Sequence, residues 1–129
     1  MNSDIQISGT QSTPTVRGDW ETGCLTMQGD SYPENAFELF DQIIRWIGSF
    51  LEQNRLPLRL ELQLVYLNTS SVKAMMDIFD LLEDAHRQGR PVSVDWRYHA
   101  ENERIAELAE EFREDCTFPF AIEPKQATP

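Results

Sequence analysis

The stretch Leu58-Arg-Leu-Glu-Leu-Gln-Leu-Val-Tyr-Leu67 decides the fold. Leu58, Leu60, Leu62, Leu64 and Tyr66 alternate with Arg59, Glu61, Gln63 and Val65, which predicts a strand with one face buried and the other in water. Val92 to Tyr98 repeats the pattern, with Val92, Val94, Trp96 and Tyr98 inward and Ser93, Asp95 and Arg97 outward. The outward charges are mixed in sign on both strands and are expected to pair across the sheet. Helical spacing fills the interval from about Ser70 to Gln88, with Val72, Met75, Met76, Phe79 and Leu82 on one side. Gly89 and then Pro91 stop that helix. Strand, helix and strand joined by short connections make a right-handed crossover, so the two strands are expected to be parallel.

Working outward, Thr13 to Asp19 and Cys24 to Gly29 read as an N-terminal hairpin around a turn containing Trp20 and Gly23. Pro14 cannot donate to a ladder, which places the first of these strands at a sheet edge. Ser31-Tyr-Pro-Glu34 has the spacing of a capping box, and a helix follows through about Gln53. Phe37, Phe40, Ile44, Ile47 and Leu51 recur at helical spacing, and Leu39, Ile43, Trp46 and Phe50 widen the stripe. A stripe that wide belongs to a helix buried on two sides or partly committed to a partner. A third, acidic helix covers about Glu101 to Glu114, with Ile105, Leu108, Ala109 and Phe112 inward. Phe118, Phe120 and Ile122 suggest a last edge strand, limited by Pro119. Residues 1–12 and 124–129 read as loosely ordered. The sum is a single α/β domain over residues 1–129: a mixed sheet of four to five strands with an N-terminal hairpin and three helices mainly on one face.

With 129 residues of which 40% are hydrophobic, the chain holds one core. Its 22 acidic and 11 basic residues give a formal charge of −11. No basic patch exists to neutralise phosphates, which argues against nucleic acid and against an anionic membrane surface as partners. Proteins with basic or mixed surfaces are the expected partners. No segment approaches the roughly 20 apolar residues of a membrane span, so no membrane insertion is expected. Met1 to Gln11 carries no apolar run like that of a signal peptide. Cys24 and Cys116 lie far apart without CxxC spacing, and two reduced thiols in the cytoplasm are the expected state.

The motifs of small-molecule chemistry are missing. There is no GxxxxGK[ST] loop for nucleotide phosphates and no GxGxxG for a dinucleotide. His86 and His99 stand at no metal-ligand spacing. Glu103, Glu107, Glu110, Glu111 and Glu114 flank an apolar stripe, as a solvated helix face does. Met75 and Met76 read as core fillers. No catalytic residue, metal or cofactor is expected, and the chain does not read as an enzyme.

One segment stands apart: Asn68-Thr69-Ser70-Ser71, followed by Val72 and Lys73, lies where a buried strand ends and an amphipathic helix begins. Helix capping accounts for these residues by itself, because Asn, Thr and Ser accept hydrogen bonds from free helix amides. The same place supports a second reading. The carboxyl ends of strands in an α/β sheet are where ligands meet the protein, and a helix N-terminus tolerates a phosphate. Phosphorylation there adds about −1.5 to −2 charge, with Lys73 one turn away as a partial counter-ion.

These residues also carry a resemblance. The run from Tyr66 through Asn68-Thr69-Ser70-Ser71 to Glu83, together with Gly9–Pro14, Gly29–Asn35 and Ala106–Ile122, resembles the SiaC family of bacterial regulatory phosphoproteins over nearly the whole chain. The resemblance implies that Thr69 is the phosphoacceptor, with Asn68, Ser70, Ser71 and Lys73 as its surroundings. It implies a threonine kinase and a PP2C-type phosphatase as partners. It further implies that the unphosphorylated form binds and activates a diguanylate cyclase, so that cyclic di-GMP favours aggregation and biofilm growth. The layout is similar to that of STAS-type anti-sigma-factor antagonists, which keeps a partner switch acting on an anti-sigma kinase as the alternative.

Overall fold

Leu58, Leu60, Leu62 and Leu64 are all sealed in the core, while Arg59, Glu61 and Gln63 face outward. The alternation therefore produces the expected half-buried strand, β4 (Leu58–Leu67). The computed structural model describes residues 4–125. Around β4 the order is β1 (Ile5–Ile7), β2 (Thr15–Asp19), β3 (Cys24–Ser31), α1 (Ala36–Gln53), β4, α2 (Thr69–Arg87), β5 (Val92–His99), α3 (Glu103–Glu114) and β6 (Phe120–Lys125). The six strands form one mixed sheet in sequence order. The β1–β2 and β2–β3 pairs are antiparallel, and β3 through β6 run parallel.

Each parallel pair is joined by a helix, and right-handed crossovers taken in one direction put all three helices on the same face. Phe40, Ile43, Ile47 and Phe50 of α1, Met75, Ile78 and Leu82 of α2, and Ile105, Ala109 and Phe112 of α3 close over the sheet leucines. Every buried leucine of β4 is held by such packing, and truncating one to alanine costs about 2–5 kcal/mol.

Several expectations are corrected. The described residues form six strands, because Ile5–Ile7 pairs with Val16–Gly18 inside the segment expected to be loosely ordered. β2 is therefore covered on both sides, and Pro14 precedes the strand instead of marking an edge. Pro124 and Lys125 belong to β6, which pairs with β5; residues 1–3 and 126–129 of the two termini expected to be loose lie outside the described residues. Ser31 and Glu34 form no capping box: Ser31 ends β3, and Asn35 caps α1 by accepting from the Glu38 amide at 3.3 Å. The outward charges pair along their own strands, Arg59 with Glu61 at 2.9 Å and Arg97 with Asp95 at 3.5 Å, because the register sets Glu61 beside Asp95.

The width of the α1 stripe has two causes. Trp46 and Phe50 meet Trp20 of the β2–β3 turn at ring distances of 5.9 and 5.3 Å, whereas Phe37 is 75% exposed in the first turn. That β2–β3 turn depends on Gly23. Its φ of +72° suits glycine, and an added Cβ would lie 2.2 Å from the Pro57 carbonyl oxygen.

Candidate functional site

Three helices that each follow a parallel strand must all start at the carboxyl edge of the sheet. Each start is capped by an asparagine: Asn35, Asn68 and Asn102 accept from the amides of Glu38, Ser71 and Ile105. Two of these caps also tie the edge together. Asn68 Nδ2 donates to the Pro33 carbonyl at 3.3 Å and Asn102 Nδ2 to the Val65 carbonyl at 3.1 Å.

At the centre of the conspicuous segment the four residues have separate roles. Asn68 is the cap, bonded through Oδ1 to the Ser71 amide at 2.9 Å. Its own amide donates to the Ser31 carbonyl at 2.9 Å, which hangs the start of α2 on the end of β3. Ser71 is fully buried, and its hydroxyl shares a 2.8 Å hydrogen bond with that of Ser31. Ser70 is exposed and donates to Asn68 Oδ1 at 3.2 Å. Thr69 is the first residue of α2, exposed, and outside this network. The amides of Thr69 and Ser70 are first-turn amides with no helical acceptor, and the helix presents its partial positive charge there. Lys73 is exposed four residues on, at the spacing that brings side chains to one helix face. Capping and presentation therefore do not compete: Asn68 and Ser71 hold the junction while Thr69 is left to solvent.

A register shift shapes the surface beside Thr69. Gly29 pairs with Leu64 but Asp30 pairs with Tyr66, so β4 carries an extra residue at Val65. Such a bulge reverses the inward and outward alternation beyond it. Tyr66, expected inward, is consequently 51% exposed, and Leu67 turns in instead. The Tyr66 ring meets that of Tyr32 edge-on at 6.0 Å. Tyr32, Val65 and Tyr66 are thus exposed apolar or aromatic residues on the edge that carries Thr69. Strict alternation hides them, because nothing in the sequence signals the bulge.

Away from this edge, Glu83 is buried on α2 and accepts from the Thr117 amide at 2.7 Å and hydroxyl at 2.6 Å, and from Arg87 at 3.1 Å. The Thr117 bonds first, and Arg87 after them, hold the Glu83 carboxyl down at about 2. The two cysteines are free thiols, half-buried. Burial raises the Cys24 thiol, and burial together with Glu83, Asp115 and Asp80 pushes Cys116 up to about 11, so neither carries a thiolate near neutrality. His86 packs edge-on against Phe118, and His99 is exposed at the end of β5. Among the described residues no helix is long and apolar enough to cross a membrane.

The carboxyl edge of the sheet thus carries the exposed Tyr32, Val65 and Tyr66 together with the exposed Thr69 at the start of α2, on a single α/β domain. The model of the SiaC family regulatory phosphoproteins matches residues 7–125, and the chain belongs to that family. It is 66% identical over 121 residues to an uncharacterized protein of Pseudomonas aeruginosa strain UCBPP-PA14, covering 94% of this chain and 96% of that one. Apo-SiaC from Pseudomonas aeruginosa superposes with a TM-score of 0.91 at 64% identity, over 94% of this chain and 98% of the other. The SiaC in a crystal structure of the diguanylate cyclase SiaD in complex with its activator SiaC, from the same organism, gives a TM-score of 0.92 at 65% identity, over 95% and 100% of the two chains.

Proposed function

We propose that this protein is a phosphorylation-gated activator of a diguanylate cyclase, working in the cytoplasm by binding rather than by turnover. The observation that carries the reading is the exposed Thr69, set on the first turn of α2 three residues after the exposed Tyr66. In the unphosphorylated state the Thr69 side chain is neutral and the edge that carries it is partly aromatic, a contact that a protein partner desolvates at modest cost. A threonine kinase adds a phosphoryl group to the Thr69 hydroxyl, and a PP2C-type phosphatase removes it. The added group brings a dianion and its hydration shell to the contact. The first-turn amides and Lys73 stabilise it on this protein, while a partner shaped for the neutral side chain loses its fit. Output through cyclic di-GMP then favours aggregation and biofilm growth.

The SiaC that is the activator of the cyclase SiaD is 65% identical to this chain, which supports the cyclase as target over an anti-sigma kinase. The test measures cyclic di-GMP synthesis by purified SiaD with increasing amounts of this protein. Wild type and Thr69→Ala are expected to activate, and Thr69→Asp to activate less. Full activation by Thr69→Asp and by enzymatically phosphorylated protein alike would remove the gating step.

A further inference from the structure

With all three helices on one side, the other face of the sheet is bare, and at its amino end lies a cavity of about 600 Å³. Small-molecule sites run to about 300–1,000 Å³, so the space suits a metabolite. It is lined by Arg17 and Asp19 of β2, Thr22 of the β2–β3 turn, Cys24 of β3, Arg59 of β4 and Ser93 of β5. The register sets Asp19, Cys24, Arg59 and Ser93 in one row across four strands, about 14 Å from end to end. Arg17, two residues before Asp19, points to the same face.

Uncommitted polar groups converge on this cavity. Arg17 is exposed, and among the described residues its guanidinium makes no ion pair or hydrogen bond. The Thr22 and Ser93 hydroxyls are likewise unbonded among them. Asp19 Oδ1 accepts from the Glu21 and Thr22 amides at 3.0 and 3.3 Å, which leaves Oδ2 as a free acceptor. Arg59 pairs through one nitrogen with Glu61 at 2.9 Å and lies against the Cys24 thiol. A guanidinium carries five N–H donors, so others remain for a ligand. Because Arg59 leans over β3, the strand between its own and that of Arg17, one group above Cys24 meets both cations.

Chemistry selects the ligand. Two arginine forks match the oxygens of a phosphate. Asp19 and Glu61 bring the formal charge around the two arginines back to zero, which favours a single phosphate over a polyphosphate. The free carboxylate oxygen and the two hydroxyls suit hydroxyl groups on the ligand. No aromatic ring lines the cavity to stack a nucleobase.

We infer that this cavity binds a small phosphorylated sugar or polyol, its phosphate between Arg17 and Arg59 and its hydroxyls on Asp19, Thr22 and Ser93. The site lies at the opposite end of β4 from Thr69, about 26 Å along the strand. It is therefore independent of the phosphorylation and cyclase readings.

The test is an amide NMR titration of the full chain with glycerol 3-phosphate and glucose 6-phosphate, beside inorganic phosphate and glycerol. At least one of the two esters is expected to shift the Gly23, Cys24 and Ser93 amides saturably, more tightly than inorganic phosphate, with glycerol without effect. Arg17→Gln, which loses no protein contact, is expected to keep the melting temperature and to weaken the ester about tenfold. Thr22→Val is expected to weaken the ester and to leave inorganic phosphate unchanged. Ester binding that survives Arg17→Gln intact would overturn the phosphate cradle. Equal affinity for ester and inorganic phosphate would overturn the hydroxyl contacts, and no saturable shift with either ester would overturn the site.

Discussion

The hydroxyls of Ser31 and Ser71 share a buried hydrogen bond of 2.8 Å that joins the last residue of β3 to the third residue of α2. The bond sits two residues from Thr69 and fixes the first turn of α2 against the sheet. Each hydroxyl is the other's partner, so removing one leaves the second buried without one. Ser71→Ala is expected to cost about 1–3 kcal/mol, and Ser31→Ala/Ser71→Ala to cost less than the sum of the two single changes. Denaturant titration of the three variants measures this, and strict additivity would show that the pair acts independently.

Asn68 makes the cap through one side-chain oxygen and braces Pro33 through its nitrogen. Asn68→Ala is expected to lower stability by about 1 kcal/mol. Asn68→Ser, which keeps an acceptor for the Ser71 amide, is expected to recover part of that loss. Thermal unfolding of the two variants decides the point; equal losses would assign the effect to the Pro33 contact instead.

Much of the fold was legible because β4, α2 and β5 each bury one face, so periods of 2.0 and 3.6 are written directly in Leu58–Leu64, Met75–Leu82 and Val92–Trp96. The miss at Ile5–Ile7 is physical: three residues carry no period, and their strand exists because β2 offers a free edge. Ser31 misled for a related reason. Ser-x-x-Glu spacing is a local signal, and β3 pairing with β4 overrides it by carrying the strand to Ser31. The place of Thr69 at the start of α2 was legible because capping residues announce a helix start. Tyr66 was not, since its exposure depends on a bulge.

Tyr66 and Tyr32 support each other at the surface beside Thr69. Tyr66→Ala removes an exposed aromatic ring with little core contact, so stability is expected to change by no more than about 0.5 kcal/mol. Cyclase binding, by contrast, is expected to fall about tenfold, as for an aromatic anchor at an interface. Paired measurements of melting temperature and affinity test this; unchanged affinity would place the contact elsewhere.

Glu83 gives the fold an acid-sensitive lock between α2 and the segment before β6. Its carboxyl is held at about 2 in the folded chain against an ordinary 4.5. A lowered folded value means the stabilisation is present above the ordinary value and is lost as pH falls from about 4.5 towards 2. Glu83→Gln is therefore expected to be less stable than wild type at neutral pH, with the difference shrinking across that acid window. A pH series of melting temperatures for both proteins reads it directly, and a constant difference would mean that charge plays no part.

The central claim is that a dianion on one hydroxyl decides whether the partner docks. The most direct measurement is calorimetric titration of SiaD with protein bearing phosphothreonine at position 69, made by semisynthesis, beside the same protein with an unmodified Thr69. The account predicts binding by the unmodified protein and at least a tenfold loss on phosphorylation, or about 1.4 kcal/mol. Equal affinity of the two forms would contradict it.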